Sequence, residues 1–130
     1  MAIISKNWAA QQQIIGSSDN WVTLSGTTET FSDNVDLVTA GYEGVHMIVE
    51  VDYDASPTDQ VEVRLYGSLD GSNHDNTPFW SVQLDNSLDN QQIGFLVQDM
   101  AHFRISVKQT GSTDSHNVRS YIKAWNWKSQ

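Results

Sequence analysis

The sequence predicts an all-β protein, an antiparallel eight-stranded β-sandwich with a short N-terminal arm, and three observations carry that prediction. Short runs alternating between apolar and polar residues recur at spacings of roughly 8–18 residues. Clusters of Gly, Asn, Asp, Ser and Pro separate these runs. No stretch carries the three-and-four spacing of an amphipathic helix. The most regular unit runs from Gln60 to Leu84, QVEVRLYGSLDGSNHDNTPFWSVQL. Val61, Val63 and Leu65 point one way and Glu62, Arg64 and Tyr66 the other. The turn formers Gly67 to Pro78 follow, with an Asp70-Gly71 pair, before Phe79, Trp80, Val82 and Leu84 resume the apolar signal. Eight strands with one solvated face each suit a jelly roll, and a seven-stranded immunoglobulin-like sandwich fits the same pattern.

In chain order, residues 1–20 read as an arm, rich in Ala, Gln and Ser and ending in the breaker run Gly16-Ser17-Ser18-Asp19-Asn20. Trp8, Ile14 and Ile15 are its large apolar groups after Ile3 and Ile4, and an arm with a tryptophan has a surface to pack on. Residues 21–130 form the sandwich. Trp21 to Leu24 is a short strand, Ser25 to Thr28 a turn, and Phe31 to Val38 a strand interrupted by Asp33 and Asn34. Val45 to Tyr53 alternates without a break, with Val45, Met47, Val49, Val51 and Tyr53 on one face. After the central hairpin come Gln92 to Gln98, then Phe103, Ile105 and Val107 opposed by Arg104, Ser106 and Lys108. The last strand sets Val118, Ser120, Ile122 and Ala124 against Arg119, Tyr121, Lys123, Trp125 and Trp127.

A chain of 130 residues is long enough to bury a core without covalent staples. It has no cysteine, which removes disulfides and thiolate metal sites. The opening MAIISKNWAAQQQ lacks the apolar run of a signal peptide, and no window approaches the ~18 apolar residues of a membrane helix, so no membrane partner is expected. The net charge of −9 is uneven: residues 1–63 hold ten acids against Lys6 alone, whereas residues 64–130 hold six acids and six bases. Such a balance opposes nucleic-acid binding, because most of the surface repels phosphate.

No catalytic signature is present, and no enzyme activity is expected. His46, His74, His102 and His116 are scattered, without the helical pair of a zinc protease, and no G-x-S-x-G elbow marks a serine. Glu50 and Asp52 would stand about 6–7 Å apart on one strand face. That separation suits a glycosidase, but on an outward face solvated charges are the simpler reading. Asp70, Ser72, Asn73 and Asp75 offer oxygen ligands without the bidentate glutamate of a calcium loop, and a turn bonding its own backbone accounts for them. No metal or cofactor is therefore assigned. The candidate interaction surface is the last strand, where Arg119, Tyr121, Lys123, Trp125 and Trp127 share a side, with Arg104 and Lys108 from the preceding strand beside them. Trp8, Ile14 and Ile15 would add the arm to that surface. The opposite reading packs Trp125 and Trp127 into the sandwich.

The central segment resembles small β-proteins encoded among bacteriophage virion genes, in which a strand ending in an S-x-D-G-S turn leads to a D-x-x-P-F strand start. The matching positions are Ser68, Asp70, Gly71 and Ser72, then Asp75, Pro78 and Phe79. The run from Phe95 through HFRISVKQTGSTD to the terminal strand is similar too, so the likeness spans residues 45–127. The resemblance implies a jelly-roll capsid decoration (cement) protein, homotrimeric, that clamps neighbouring subunits of the major capsid protein on the outside of a phage head. It implies a place on the virion surface, and in the host cytoplasm during assembly. A tail or head-fibre module falls under the same resemblance. The competing class is a carbohydrate-binding module, with Trp80, Trp125 and Trp127 as stacking platforms.

Overall fold

The computed structural model describes residues 4–129 and contains eleven strands and no helix among them. The long strands are β6 (Gly44–Asp52), β7 (Val61–Ser68), β8 (Trp80–Leu84), β9 (Asn90–Gln98), β10 (His102–Gln109) and β11 (Asn117–Ser129). Five short ones precede them: β1 (Ile4–Trp8), β2 (Gln12–Ile15), β3 (Val22–Thr23), β4 (Thr30–Phe31) and β5 (Val35–Asp36). All pair antiparallel, in two sheets.

The eleven segments fill eight strand positions. In the first sheet β6 occupies one edge of β11, so β1, β2 and β3 follow one another along its other edge. In the second sheet β4 and β5 share the free edge of β10. The sheets therefore run (β1/β2/β3)-β11-β6-β9 and (β4/β5)-β10-β7-β8. This is the strand order of a jelly roll, in which most consecutive positions alternate between sheets.

The core lies between the sheets and follows the period-two pattern. Val45, Met47, Val49 and Val51 of β6 face Val61, Val63 and Leu65 of β7 and Phe103, Ile105 and Val107 of β10, all buried. From β11, Val118, Ile122 and Ala124 point inward. Trp80 and Val82 of β8 and Ile93 and Phe95 of β9 also point inward, but they lie on the sandwich's open side and remain half-buried.

The segment read as an arm extends the first sheet. Ile14 and Ile15 are both buried, although alternation would expose one, because the register with β11 shifts between Ser120 and Tyr121. The following turn holds three positive-φ residues, Gly16 at 81°, Ser18 at 52° and Asp19 at 62°. A Cβ at residue 16 would collide with the Asn20 carbonyl oxygen, so only glycine fits. The Gln13 side chain stitches this turn, donating to the Ile15 and Asn20 carbonyls and accepting from Asp19 N–H.

One end of the sandwich is closed by polar ties. The Asp114 carboxylate accepts from Thr58 and Asp59 N–H at 2.8 and 2.7 Å, and the Asp59 carboxylate accepts in turn from Thr113 and Asp114 N–H. These bonds hold the Asp114 carboxyl below its usual range, the Asp59 N–H first among them. Tyr53 spans both sheets, its hydroxyl donating to the Leu84 carbonyl and accepting from Val61 N–H.

Candidate functional site

The outer face of the first sheet collects the unusual side chains. β11 turns Arg119, Tyr121, Lys123, Trp125 and Trp127 outward, and the cross-strand register sets the first four beside Glu50, Ile48, His46 and Gly44 of β6. On the other flank β1 places Lys6 opposite Trp127 and Trp8 opposite Trp125. The expected strip therefore exists, and Trp8 belongs to it.

At one end of the strip three tryptophans form a ridge. Trp125 meets Trp8 with ring centroids 6.5 Å apart and Trp127 edge-on at 5.1 Å. The Lys6 ammonium sits 4.4 Å from the Trp125 ring centroid, within cation–π range. Trp125 is only 5% exposed, whereas Trp8 and Trp127 are 45% and 54% exposed. Gly44 makes this seat possible: a Cβ there would lie 2.8 Å from the Val97 carbonyl oxygen and 3.1 Å from Trp125 Nε1. Trp125 is thus a buried footing under two exposed rings, on the outside of the sandwich rather than in its core.

The other end serves the fold. Arg119 bonds Glu50 at 2.5 Å and the Asp19 carbonyl at 2.8 Å, and its guanidinium lies 4.1 Å from the Trp21 ring centroid. The Tyr121 hydroxyl donates to Asp19 at 2.7 Å, a bond that raises its pKa above the usual phenol value, with burial adding to the effect. Arg119 and Tyr121 clamp the turn before β3 onto the sheet. Beside them Trp21, Glu50, Asn90, Gln91, Gln92 and Arg119 line a shallow cleft of about 270 Å³. Between the two ends, Lys123 and His46 are cross-strand neighbours, exposed, and make no hydrogen bond or ion pair among the described residues.

Other expected members lie elsewhere. Arg104 and Lys108 do not neighbour β11: they stand on β10, on the outer face of the second sheet. Arg104 packs over Phe31 at 3.9 Å, and Lys108 approaches Glu62 at 3.8 Å. Adjacency in sequence misleads here because β10 and β11 belong to different sheets. Ile14 and Ile15 are core residues that anchor β2. Trp80 packs on Phe95 at 4.7 Å between the sheets and offers no free ring face on the strip. Lys6, Trp21 and Gly44 were not singled out from sequence. The alternation of Lys6 with Trp8 matches that of Trp125 with Trp127 and is the signal that could have found the first.

The remaining candidate chemistry is used locally. Asp70 accepts from Ser72 and Asn73 N–H, both at 2.8 Å, and from the Asn73 amide, which holds its carboxyl far below the usual range. Gly71, at φ 82°, completes that turn. Glu50 is paired with Arg119. His74 and His102 are linked through the Asn34 side chain, while His116 is buried at the closed end. Among the described residues no serine hydroxyl bonds a histidine, and no three metal-ligating side chains of the His, Cys, Asp or Glu type converge.

No protein-family model matches the sequence, and no curated protein matches it. Solved structures similar in chain path include the following three. The mitogen of Yersinia pseudotuberculosis is 10% identical, with a TM-score of 0.47 over 95% of this chain and 86% of that one. The CBM22-1 xylan-binding domain of Paenibacillus barcinonensis Xyn10C is 8% identical, with a TM-score of 0.47 over 94% and 85%. The infectious bursal disease virus VP2 subviral particle protein is 9% identical, with a TM-score of 0.39 over 95% of this chain and 32% of that one.

Proposed function

We propose that this protein is a structural virion component, a capsid decoration protein that docks through the outer face of its first sheet onto the major capsid protein. The observation that carries the reading is the Trp8–Trp125–Trp127 ridge, two rings exposed over a buried third, flanked by Lys6 and Lys123. Exposed tryptophans are enriched at interface centres, and the two lysines beside them suit its polar rim. They form a raised strip, which suits a broad partner surface. In a chain of net charge −9, this strip is where an acidic partner can approach without repulsion. The likeness of the Ser68–Phe79 segment to phage virion proteins points the same way. The role requires no reaction, cofactor or nucleic acid.

The test is co-sedimentation with capsids assembled from the major capsid protein of the same genome. The double variant Trp8→Ala/Trp127→Ala leaves the fold intact and lowers occupancy at least about tenfold, as loss of two anchor rings should. A folded variant that binds as well as its parent removes the ridge from the docking role. A parent protein that binds no capsid removes the function.

A specific feature favours a second reading, a carbohydrate-binding module. The cleft beside Arg119 joins an indole, a carboxylate and the outward-facing residues Asn90 and Gln92, groups that suit a sugar. Tryptophan fluorescence during titration with a panel of sugars separates the readings. A saturable change abolished by Gln92→Ala supports the module, and a flat response across the panel leaves the structural role.

A further inference from the structure

The sandwich has one side that its own chain leaves open. β9 ends the first sheet and β8 ends the second, at the margin opposite β1, so each presents one unpaired backbone edge. Exposed strand edges are ordinarily blunted by lysine, proline or inward charges. None of these three is present: β8 reads WSVQL and β9 reads NQQIGFLVQ, with no charged residue and no proline. Between the edges Trp80, Val82, Ile93 and Phe95 are half-buried, and Phe79 and Leu96 beside them are 73% and 66% exposed. Phe79, Leu96 and Met100 border a cleft of about 230 Å³ there.

From this open side we infer that two copies of the chain associate by pairing β9 with β9 in an antiparallel, two-fold arrangement centred on Gly94. The self-pairing pattern of β9 points to a second copy as the occupant, and charge confines the contact to this side. Two chains of net charge −9 repel over most of their surface and can meet along these uncharged strands. The sequence of β9 is self-complementary about its midpoint. With Gly94 opposite Gly94, each Ile93 faces the other copy's Phe95 and each Gln92 the other copy's Leu96. Aromatic and β-branched residues are favourable cross-strand partners, and this pairing covers the half-buried inner side chains of both copies. Gly94 itself lacks a reason within its own chain. Its φ is not positive, and a Cβ would sit at ordinary contact distance, 3.4 Å from His46 Nε2. Close approach by a ligand or another backbone is one of the roles of a glycine inside a strand.

The nearest acids, Asp89 and Asp99, lie just outside the strand, and Asp99, at φ 59°, turns the chain out of its line. In this register they face each other across the pair, so association strengthens as salt screens them. The pair does not depend on the tryptophan ridge, which lies at the opposite margin of the sheet.

Light scattering behind a sizing column, over a concentration and salt series, should give a mass of twice the 14.6 kDa chain, more completely at higher salt. A monomer throughout, or the trimer expected from the phage-protein resemblance, overturns the two-fold pair. Register is tested by cysteine, which the chain lacks. Directly opposed residues in an antiparallel pair have Cα atoms about 4.5–5.5 Å apart, within disulfide reach. Gly94→Cys should therefore oxidise to a covalent dimer, while Leu96→Cys, whose copies stand far apart, should not. Should Gly94→Cys fail to fold, Gln92→Cys/Leu96→Cys in one chain gives the same crosslink. Equal crosslinking of Gly94→Cys and Leu96→Cys, or none in any variant, contradicts the arrangement.

Discussion

On the outer face of the second sheet, Arg64 bonds Glu29 at 2.8 Å and Glu62 at 3.0 Å, Lys108 approaches Glu62, and Arg104 covers Phe31. On the outer face of the first sheet, Lys123 and His46 stand exposed without partners among the described residues, and Trp8 and Trp127 present bare ring surface. Both faces combine basic, acidic and aromatic side chains. The second pairs or covers its cations, although Phe31 stays 42% exposed, and the first leaves Lys123 and His46 without partners among the described residues. A basic and aromatic composition therefore does not mark a docking face. Under the docking role proposed above, what marks the face is the part of that composition which the fold leaves unsatisfied. The first face makes the same point internally, since Arg119 and Tyr121 at one end are tied to their own chain just as Arg64 is.

Substitutions that separate the faces should differ in kind as well as size. The largest effect belongs to Trp125→Ala, which removes the footing of the ridge and should cost about 3 kcal/mol of stability, read from chemical denaturation. Capsid occupancy should fall with it, because Trp8 and Trp127 lose their support. Arg64→Ala on the closed face should cost about 1 kcal/mol, because it opens a pair of ion contacts, and leave capsid occupancy unchanged. A drop in occupancy there would mean that the closed face also docks.

A smaller effect sharpens the contrast within the first face. The hydrogen bond to Asp19 raises the Tyr121 pKa in the folded protein. Its stabilisation is therefore fully present below the unfolded phenol value of about 10 and is lost as pH rises through the raised value. Asp19→Asn keeps a residue that tolerates positive φ but removes the charge. Ultraviolet titration should then show one tyrosine ionising at lower pH than in the parent. An unchanged titration would mean that Tyr121 is not clamped as described.

Much of this was legible in the sequence. Val45 to Val51 and Val61 to Leu65 alternate because each strand has one face on the core, and the register preserves that pattern. The short strands along β11 were less legible. Two-residue strands carry no periodicity, and the register shift that buries both Ile14 and Ile15 breaks what little there is. The outward strip on β11 was readable from alternation alone. Which of its members were spent was not, because Glu50, Asp19 and Trp21 reach Arg119 and Tyr121 from positions distant in the chain. Arg104 and Lys108 fall outside the strip because β10 joins the other sheet, a placement that adjacency in sequence does not show.

The central claim, that the first outer face docks and the second does not, is tested most directly by one matched pair. Trp127 and Phe31 are both exposed aromatics on outer faces, one on each sheet. Replacing either by Ala should cost about 1 kcal/mol, from the lost edge contact with Trp125 or the lost Arg104 stacking, and leave the protein folded. Capsid occupancy should fall at least about tenfold for Trp127→Ala and stay at the parent level for Phe31→Ala. Equal losses, or the larger loss for Phe31→Ala, would contradict the assignment of the docking face.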